Sequence, residues 1–418
     1  METLPGGLRV ATCEMPHAET AAFGIFAGVG SRHEPPRLGG ASHFIEHMLF
    51  KGTARRSARR IMEEIEGVGG DINAYTTEER TVYYGTVAAE FFPRLRDVVC
   101  DIYCHAKFAP AEIERERGVI GEEILMYRDE PASHVQELLN AAFWNGHPVG
   151  RPITGTLETI GAFSREDLLA FRDSHYHRAA TVVCAAGRLR HGEVVEAAPR
   201  LLESLPRGRR RRASAPPAGP GGFRLVSERR ETQQTQLAMG FPAPGFNDDD
   251  RFAMHLVHTI LGGNGSSRLF QQLREKRGLC YSVSSHPNLL SDAGQFNISV
   301  GLDARNLGKC LELIRDEISK LASRPPGPAE FRRAKEFTIG TNRMALERSS
   351  SQCARVGGSV LAHGRIVDPE ESHARLRAIS PEEVSACAGK YLDRSRATIA
   401  IVGPNPDAAD AEKIFLGG

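Results

Sequence analysis

The chain has no apolar run approaching the ~18–20 residues that a bilayer-crossing helix needs, so no membrane association is expected. It has no charge excess either. Its 53 basic and 52 acidic side chains leave a net charge of +1, which excludes a general nucleic-acid binder. Cysteine is scarce: eight residues in 418, with no C-x-x-C pair, exclude a disulfide scaffold and point to a reducing, cytoplasmic compartment. Cys100, Cys104 and His105 read as part of a helical face that uses cysteine as a small hydrophobe, not as a metal site. The opening residues Met1–Leu8 show neither the basic nor the apolar region of a secretory leader, so none is expected.

The remaining composition, 41% hydrophobic and 25% charged, is that of a globular protein, and the length suggests two or three domains. The clearest break is residues 206–222, rich in Pro, Gly and Arg, which reads as a linker. Its Arg209–Arg212 run fits a solvated linker charge better than an acidic-partner patch. The halves on either side resemble each other. Arg9 and Arg224, Ser164 and Ser380, and Gly187 and Gly403 open or close matching segments at offsets of 215, 216 and 216. A sustained offset means two copies of one fold, a domain at 1–205 and a homologous one at 223–418.

Each copy alternates period-2 and period-3.6 segments. Strands are expected at 9–13, 22–28, 71–75, 81–87 and 180–186, and again at 223–227, 235–241, 281–286, 295–302 and 397–402. The expected class is α+β: two homologous halves, each a mostly antiparallel sheet with helices packed on one face.

The chemistry lies in Gly39-Gly-Ala-Ser-His43-Phe-Ile-Glu46-His47-Met-Leu-Phe50. Ser42 is a candidate N-cap, and Phe44, Ile45, Met48 and Leu49 recur at helical spacing. On a helix, His43 and His47 share a face and Glu46 lies beside it, which is the H-x-x-E-H arrangement suited to a catalytic zinc ion. Composition alone predicts roughly 0.04 chance matches in a chain of this make-up. A third ligand is expected from the acidic stretch 112–125. Glu116 and Glu123, seven apart, share a helical stripe, but spacing does not choose among Glu114, Glu116, Glu122 and Glu123.

Gly39–Thr53, Gly69–Thr77, Glu116–Ile124, Gly146–Gly155 and Ser267–Tyr281 together resemble the pitrilysin/insulinase family of zinc peptidases, in its mitochondrial processing peptidase-like branch, over residues 3–403. The resemblance implies one Zn²⁺ per chain held by His43, His47 and Glu123, with Glu46 as general base and Glu116 as an outer residue orienting the site. It implies that Arg274 and Tyr281 grip the substrate backbone, on a helix equivalent to the motif helix of the first half. It also implies that Asn73, Ala74 and Tyr75 line the strand edge that receives an extended peptide. A peptide or unfolded polypeptide is the expected substrate. Four such halves form the family's chamber, and one chain carries both the metal motif and the Arg/Tyr pair, so a homodimer is expected. Alternatives within the family are a presequence-processing subunit and a non-catalytic scaffold. The intact metal residues speak against the scaffold, and no companion-subunit glycine-rich loop is seen.

Overall fold

The computed structural model describes every residue except Arg210, Arg212, Asp407 and Gly418, and omits the side chains of Leu201, Ala408 and Ala409. The Arg209–Arg212 run therefore lies partly outside the described residues. No described helix is long and apolar enough to cross a membrane.

The first sheet comprises β1 (Glu2–Thr3), β2 (Arg9–Glu14), β3 (Thr20–Ala27), β4 (Asp71–Thr76), β5 (Thr81–Ala88) and β6 (Thr181–Gly187), in the order β1-β2-β6-β3-β5-β4. The second comprises β7 (Arg224–Arg229), β8 (Thr235–Ala243), β9 (Cys280–Leu289), β10 (Gly294–Leu302) and β11 (Thr398–Gly403), in the order β7-β11-β8-β10-β9. Without β1 the two orders are identical. Pairing is antiparallel except for β2 with β6 and β7 with β11. The expected α+β class and repeated architecture hold, and all ten expected strands are present within a few residues, but helices cover both faces of each sheet and not one face as expected.

The compact units are not contiguous stretches. The first comprises Met1–Ile124, Pro152–Ser214 and Asn342–Asp368, and the second comprises Leu125–Arg151, Ala215–Thr341 and Pro369–Gly418. Each sheet therefore carries helices of its own half on one face and a helix from the other half on the opposite face. In the first unit, Phe23, Ile25, Val183 and Ala185 point into the core with helix Ala41–Leu49 and helix Phe92–His105. The alternate residues Ala22, Phe26, Val182 and Cys184 pack on helix Ser349–His363 through Cys353, Val356 and Val360. In the second unit, Leu237, Met239, Ile399 and Ile401 face one core, while Ala238, Ala400 and Val402 pack on helix Pro131–Trp144. Burial on both faces explains why β6 and β11 read as continuous apolar runs without alternation.

Cys100 and Cys104 lie on helix Phe92–His105. Burial pushes the Cys104 thiol up to about 11, consistent with a packing role.

The exchanged helix approaches the first sheet closely. A Cβ on Gly357 would sit 2.3 Å from the Phe26 ring, itself 1% exposed. Gly357→Ala should therefore cost about 1–3 kcal/mol of stability, read from denaturant unfolding, because overpacking forces side chains off their rotamers. A change below about 0.5 kcal/mol would show that the contact yields freely.

Candidate metal centre

Helix Ala41–Leu49 packs on β4 and β5 and buries Phe44, Ile45, Met48 and Leu49. Its N-terminus is set differently from the expectation. Gly40, not Ser42, is the N-cap, with φ +95°. Ser42 sits inside the first turn, and the Glu34 carboxylate accepts from the Gly40 N–H (2.8 Å) and the Ser42 N–H (2.7 Å). A carboxylate from outside the helix thus satisfies the N-terminal donors and complements the helix dipole. A Cβ at Gly40 would meet the Thr154 carbonyl oxygen at 2.6 Å, so this tight entry excludes larger residues.

One turn apart on this helix, the rings of His43 and His47 stand 4.6 Å between centroids. Helix Pro110–Asp129 runs alongside and supplies the carboxylates. Glu123 Oε2 lies 3.7 Å from His43 Nε2 and 3.6 Å from His47 Nε2. Glu114 instead pairs with Arg117, and Glu122 is exposed, so the choice that spacing left open falls on Glu116 and Glu123. Among the described residues, His43, His47 and Glu123 are the one trio of His, Cys, Asp or Glu whose donor atoms converge, all within 4.8 Å.

The protonation pattern fits a cation. Glu116 is 1% exposed; its Oε2 accepts from His47 Nδ1 at 3.1 Å, and its Oε1 pairs with Lys51 Nζ at 2.7 Å. Burial alone would raise the Glu116 carboxyl, but the hydrogen bonds from His47 and Lys51 outweigh it and hold the group below its ordinary value. With Nδ1 held by Glu116, Nε2 of His47 is the ring atom that faces the Glu123 carboxylate. Burial, with His47 beside it, lowers His43 to about 4, so its ring is neutral near pH 7. Lone pairs converging on a carboxylate repel one another unless a cation lies between them. A tetrahedral zinc ion with bonds of about 2.0–2.2 Å keeps its donors about 3.3–3.6 Å apart, close to the 3.7 and 3.6 Å that separate the two imidazoles from Glu123. The residues present fit such an ion.

Glu46 lies beside the trio, half-buried. Burial raises its carboxyl, against the lowering influence of the Thr76 hydrogen bond and His47. Thr76 Oγ1 donates to Glu46 Oε2 at 2.5 Å. Strand alternation brings Thr76 there. Ile72, Ala74 and Thr76 share the β4 face toward the motif helix, while Asn73 and Tyr75 share the other. The Thr77 N–H donates to Arg80 O (2.8 Å), closing the β4–β5 hairpin, and two-residue alternation then turns the main-chain groups of Ile72, Ala74 and Thr76 toward the open edge. Of Asn73, Ala74 and Tyr75, Ala74 offers its backbone outward, and its N–H is taken by the Asn73 side chain at 2.8 Å. Lys51, Glu34 and Thr76 were not singled out from sequence. Lys51, four residues after His47, and Thr76, at the end of an expected strand, could have been found by spacing; Glu34 could not.

Arg274 and Tyr281 stand together in the second unit. The Arg274 guanidinium lies 5.2 Å from the centre of the Tyr281 ring, which is 74% exposed at the start of β9. Arg274 sits in a π-helical turn, Phe270–Glu275. Element order corrects the expected equivalence. The position of the motif helix, next after β8, belongs to helix Asp250–Leu261, and the Arg274 turn follows it as helix Ala58–Glu66 follows the motif helix.

The sequence matches the family described as Insulinase (Peptidase family M16) over residues 9–157, and that described as Peptidase M16 inactive domain over residues 162–337. An uncharacterized zinc protease of Streptomyces coelicolor is 37% identical, with the match covering 97% of this chain and 89% of that protein. One from Mycobacterium tuberculosis H37Rv is 37% identical over 96% and 92%. Among solved structures, a protease from Helicobacter pylori superposes with a TM-score of 0.89 at 21% identity, covering 96% of this chain and 98% of that one. The peptidase M16 inactive domain from Pseudomonas fluorescens does so with 0.89 at 20% identity, covering 97% and 98%. This two-unit mixed α/β chain belongs to the insulinase, or peptidase M16, family, whose members similar to it are named zinc proteases.

Because a carboxylate behind a ligating imidazole typically contributes 10–100-fold to metal affinity, Glu116→Gln should weaken zinc binding by that factor, measured by competition with a chelator. Unchanged affinity would remove Glu116 from the site.

Proposed function

We propose that the chain is a zinc-dependent metalloendopeptidase that hydrolyses peptide bonds in short or unfolded polypeptides held as an extended strand. The observation that carries this reading is the convergence of His43, His47 and Glu123 with Glu46 beside them. When bound there, one Zn²⁺ per chain supplies Lewis-acid polarisation of a carbonyl and makes water acidic enough to be deprotonated near neutral pH.

The remaining work belongs to the chain. Glu46 accepts the proton of the attacking water and hands it to the leaving amine. Glu116 fixes the tautomer and orientation of His47, and Lys51 keeps Glu116 charged. The open edge of β4 takes the peptide as an added strand, whose carbonyl displaces the Asn73 amide oxygen from the Ala74 N–H. Arg274 and Tyr281 offer a half-buried cation and an exposed hydroxyl suited to a substrate carbonyl, and are assigned to gripping the backbone. Backbone capture demands a free strand, hence unfolded or short substrates. With two homologous halves per chain, the working form is a homodimer enclosing the substrate. Eight free cysteines suit a cytoplasmic setting.

Hydrolysis of a quenched fluorescent peptide, with and without chelator, tests the reading. Wild type should be active and chelator-sensitive. Glu46→Gln should retain zinc and lose about 10²–10⁴-fold in turnover. A fully active Glu46→Gln variant, or chelator-resistant hydrolysis, would overturn it. Sedimentation under active conditions should give twice the chain mass; a monomer would remove the chamber.

A further inference from the structure

Thr76 does two things at once. Its side chain reaches the Glu46 carboxylate, and its main-chain N–H and C=O face the open edge of β4, where an extended peptide would pair. Among the described residues, Thr76 is the hydrogen-bond partner of Glu46.

The hydroxyl has one proton and two nearby acceptors. Thr81 Oγ1 lies at 3.4 Å, and its own proton goes to the Val29 carbonyl oxygen at 3.0 Å. The Glu46 oxygen, at 2.5 Å and anionic, wins that proton, since hydrogen bonds to charged acceptors are the shorter and stronger ones. Threonine is suited to this task because branching at Cβ limits its χ1. Ala74, two residues earlier on the same face, packs against the core, so the strand carrying Thr76 is held against the motif helix.

We propose that Thr76 is a positioning residue that fixes the Glu46 carboxylate in register with a peptide bound along β4. Its hydroxyl immobilises one carboxylate oxygen and leaves the other to accept the proton, while its backbone sets where the scissile amide lies. The proposal rests on Glu46 acting as the base. It adds that the base is aimed by the strand that receives the substrate, so binding and proton transfer share one residue.

The test compares Thr76→Val, which keeps the shape and removes the donor, with Thr76→Ser, which restores it. Each is made in the wild-type and Glu46→Gln backgrounds, and zinc per chain, kcat and KM are measured for each. Thr76→Val should lower kcat about 10–100-fold, as expected for a displaced catalytic group, with KM within about twofold and zinc unchanged. Thr76→Ser should recover kcat to within about threefold of wild type. In the Glu46→Gln background the valine should cost less than about twofold more, because the aimed group is already lost. If Thr76→Val keeps kcat within about twofold of wild type while Glu46→Gln is inactive, positioning by Thr76 is wrong and the base assignment stands. If Glu46→Gln is fully active, the base assignment itself fails. Loss of zinc in parallel with kcat, or no rescue by serine, would show a merely structural role and overturn the proposal. Should the valine variant not fold, Thr76→Ala carries the same comparison.

Discussion

The contact between the Glu116 carboxylate and the His47 imidazole is the interaction on which the rest of the centre depends. A carboxylate 1% exposed is costly unless each oxygen is paired, and here one takes the imidazole N–H and the other the Lys51 ammonium. That arrangement turns the other nitrogen of His47 toward Glu123. Without it, the ring could present either nitrogen, and the three donors would have no common focus. His43 has no such anchor, since its Nδ1 is buried without a partner among the described residues. Packing around the helix, and not a hydrogen bond, holds that ring in place.

The motif helix can bring these groups together because its surroundings are rigid. Glu34 closes its N-terminus, Gly40 admits the Thr154 backbone, and β4 and β5 form its floor. The floor is covered on its far side in turn. Helix Ser349–His363, from the other half of the sequence, seals the first sheet, as helix Pro131–Trp144 seals the second. Each sheet is thereby buried on both faces, with β4 of the first left at an open edge. A rigid floor with one free edge is what strand capture beside a fixed metal site requires.

Much of this was legible in the sequence. Strands such as Thr181–Gly187 and Thr398–Gly403 are short apolar runs bounded by turn residues, and the 215–216 residue offset paired them across the halves. The His43–His47 spacing announced a shared helix face. What periodicity could not show is which surface an amphipathic helix covers, so neither exchanged helix was foreseen. The same limit applied to the carboxylates. Glu114, Glu116, Glu122 and Glu123 are alike in type and local spacing, and only packing against the motif helix separates a buried Glu116 and a half-buried Glu123 from two outward ones. Ser42 failed as a cap because Glu34, which reaches the helix start from the preceding loop, and a left-handed Gly40 took that role, and helical periodicity marks neither. The equivalence assigned to the Arg274 turn slipped by one helix, because the motif residues that would mark the register are absent from the second half.

The central claim is that His43, His47 and Glu123 form one zinc site. Zinc per chain, measured by elemental mass spectrometry on the purified wild type and on Glu123→Ala after dialysis against a weak chelator, tests it most directly. The account predicts one zinc per wild-type chain and near-complete loss in the variant. No zinc in the wild type, or full zinc in Glu123→Ala, would contradict it.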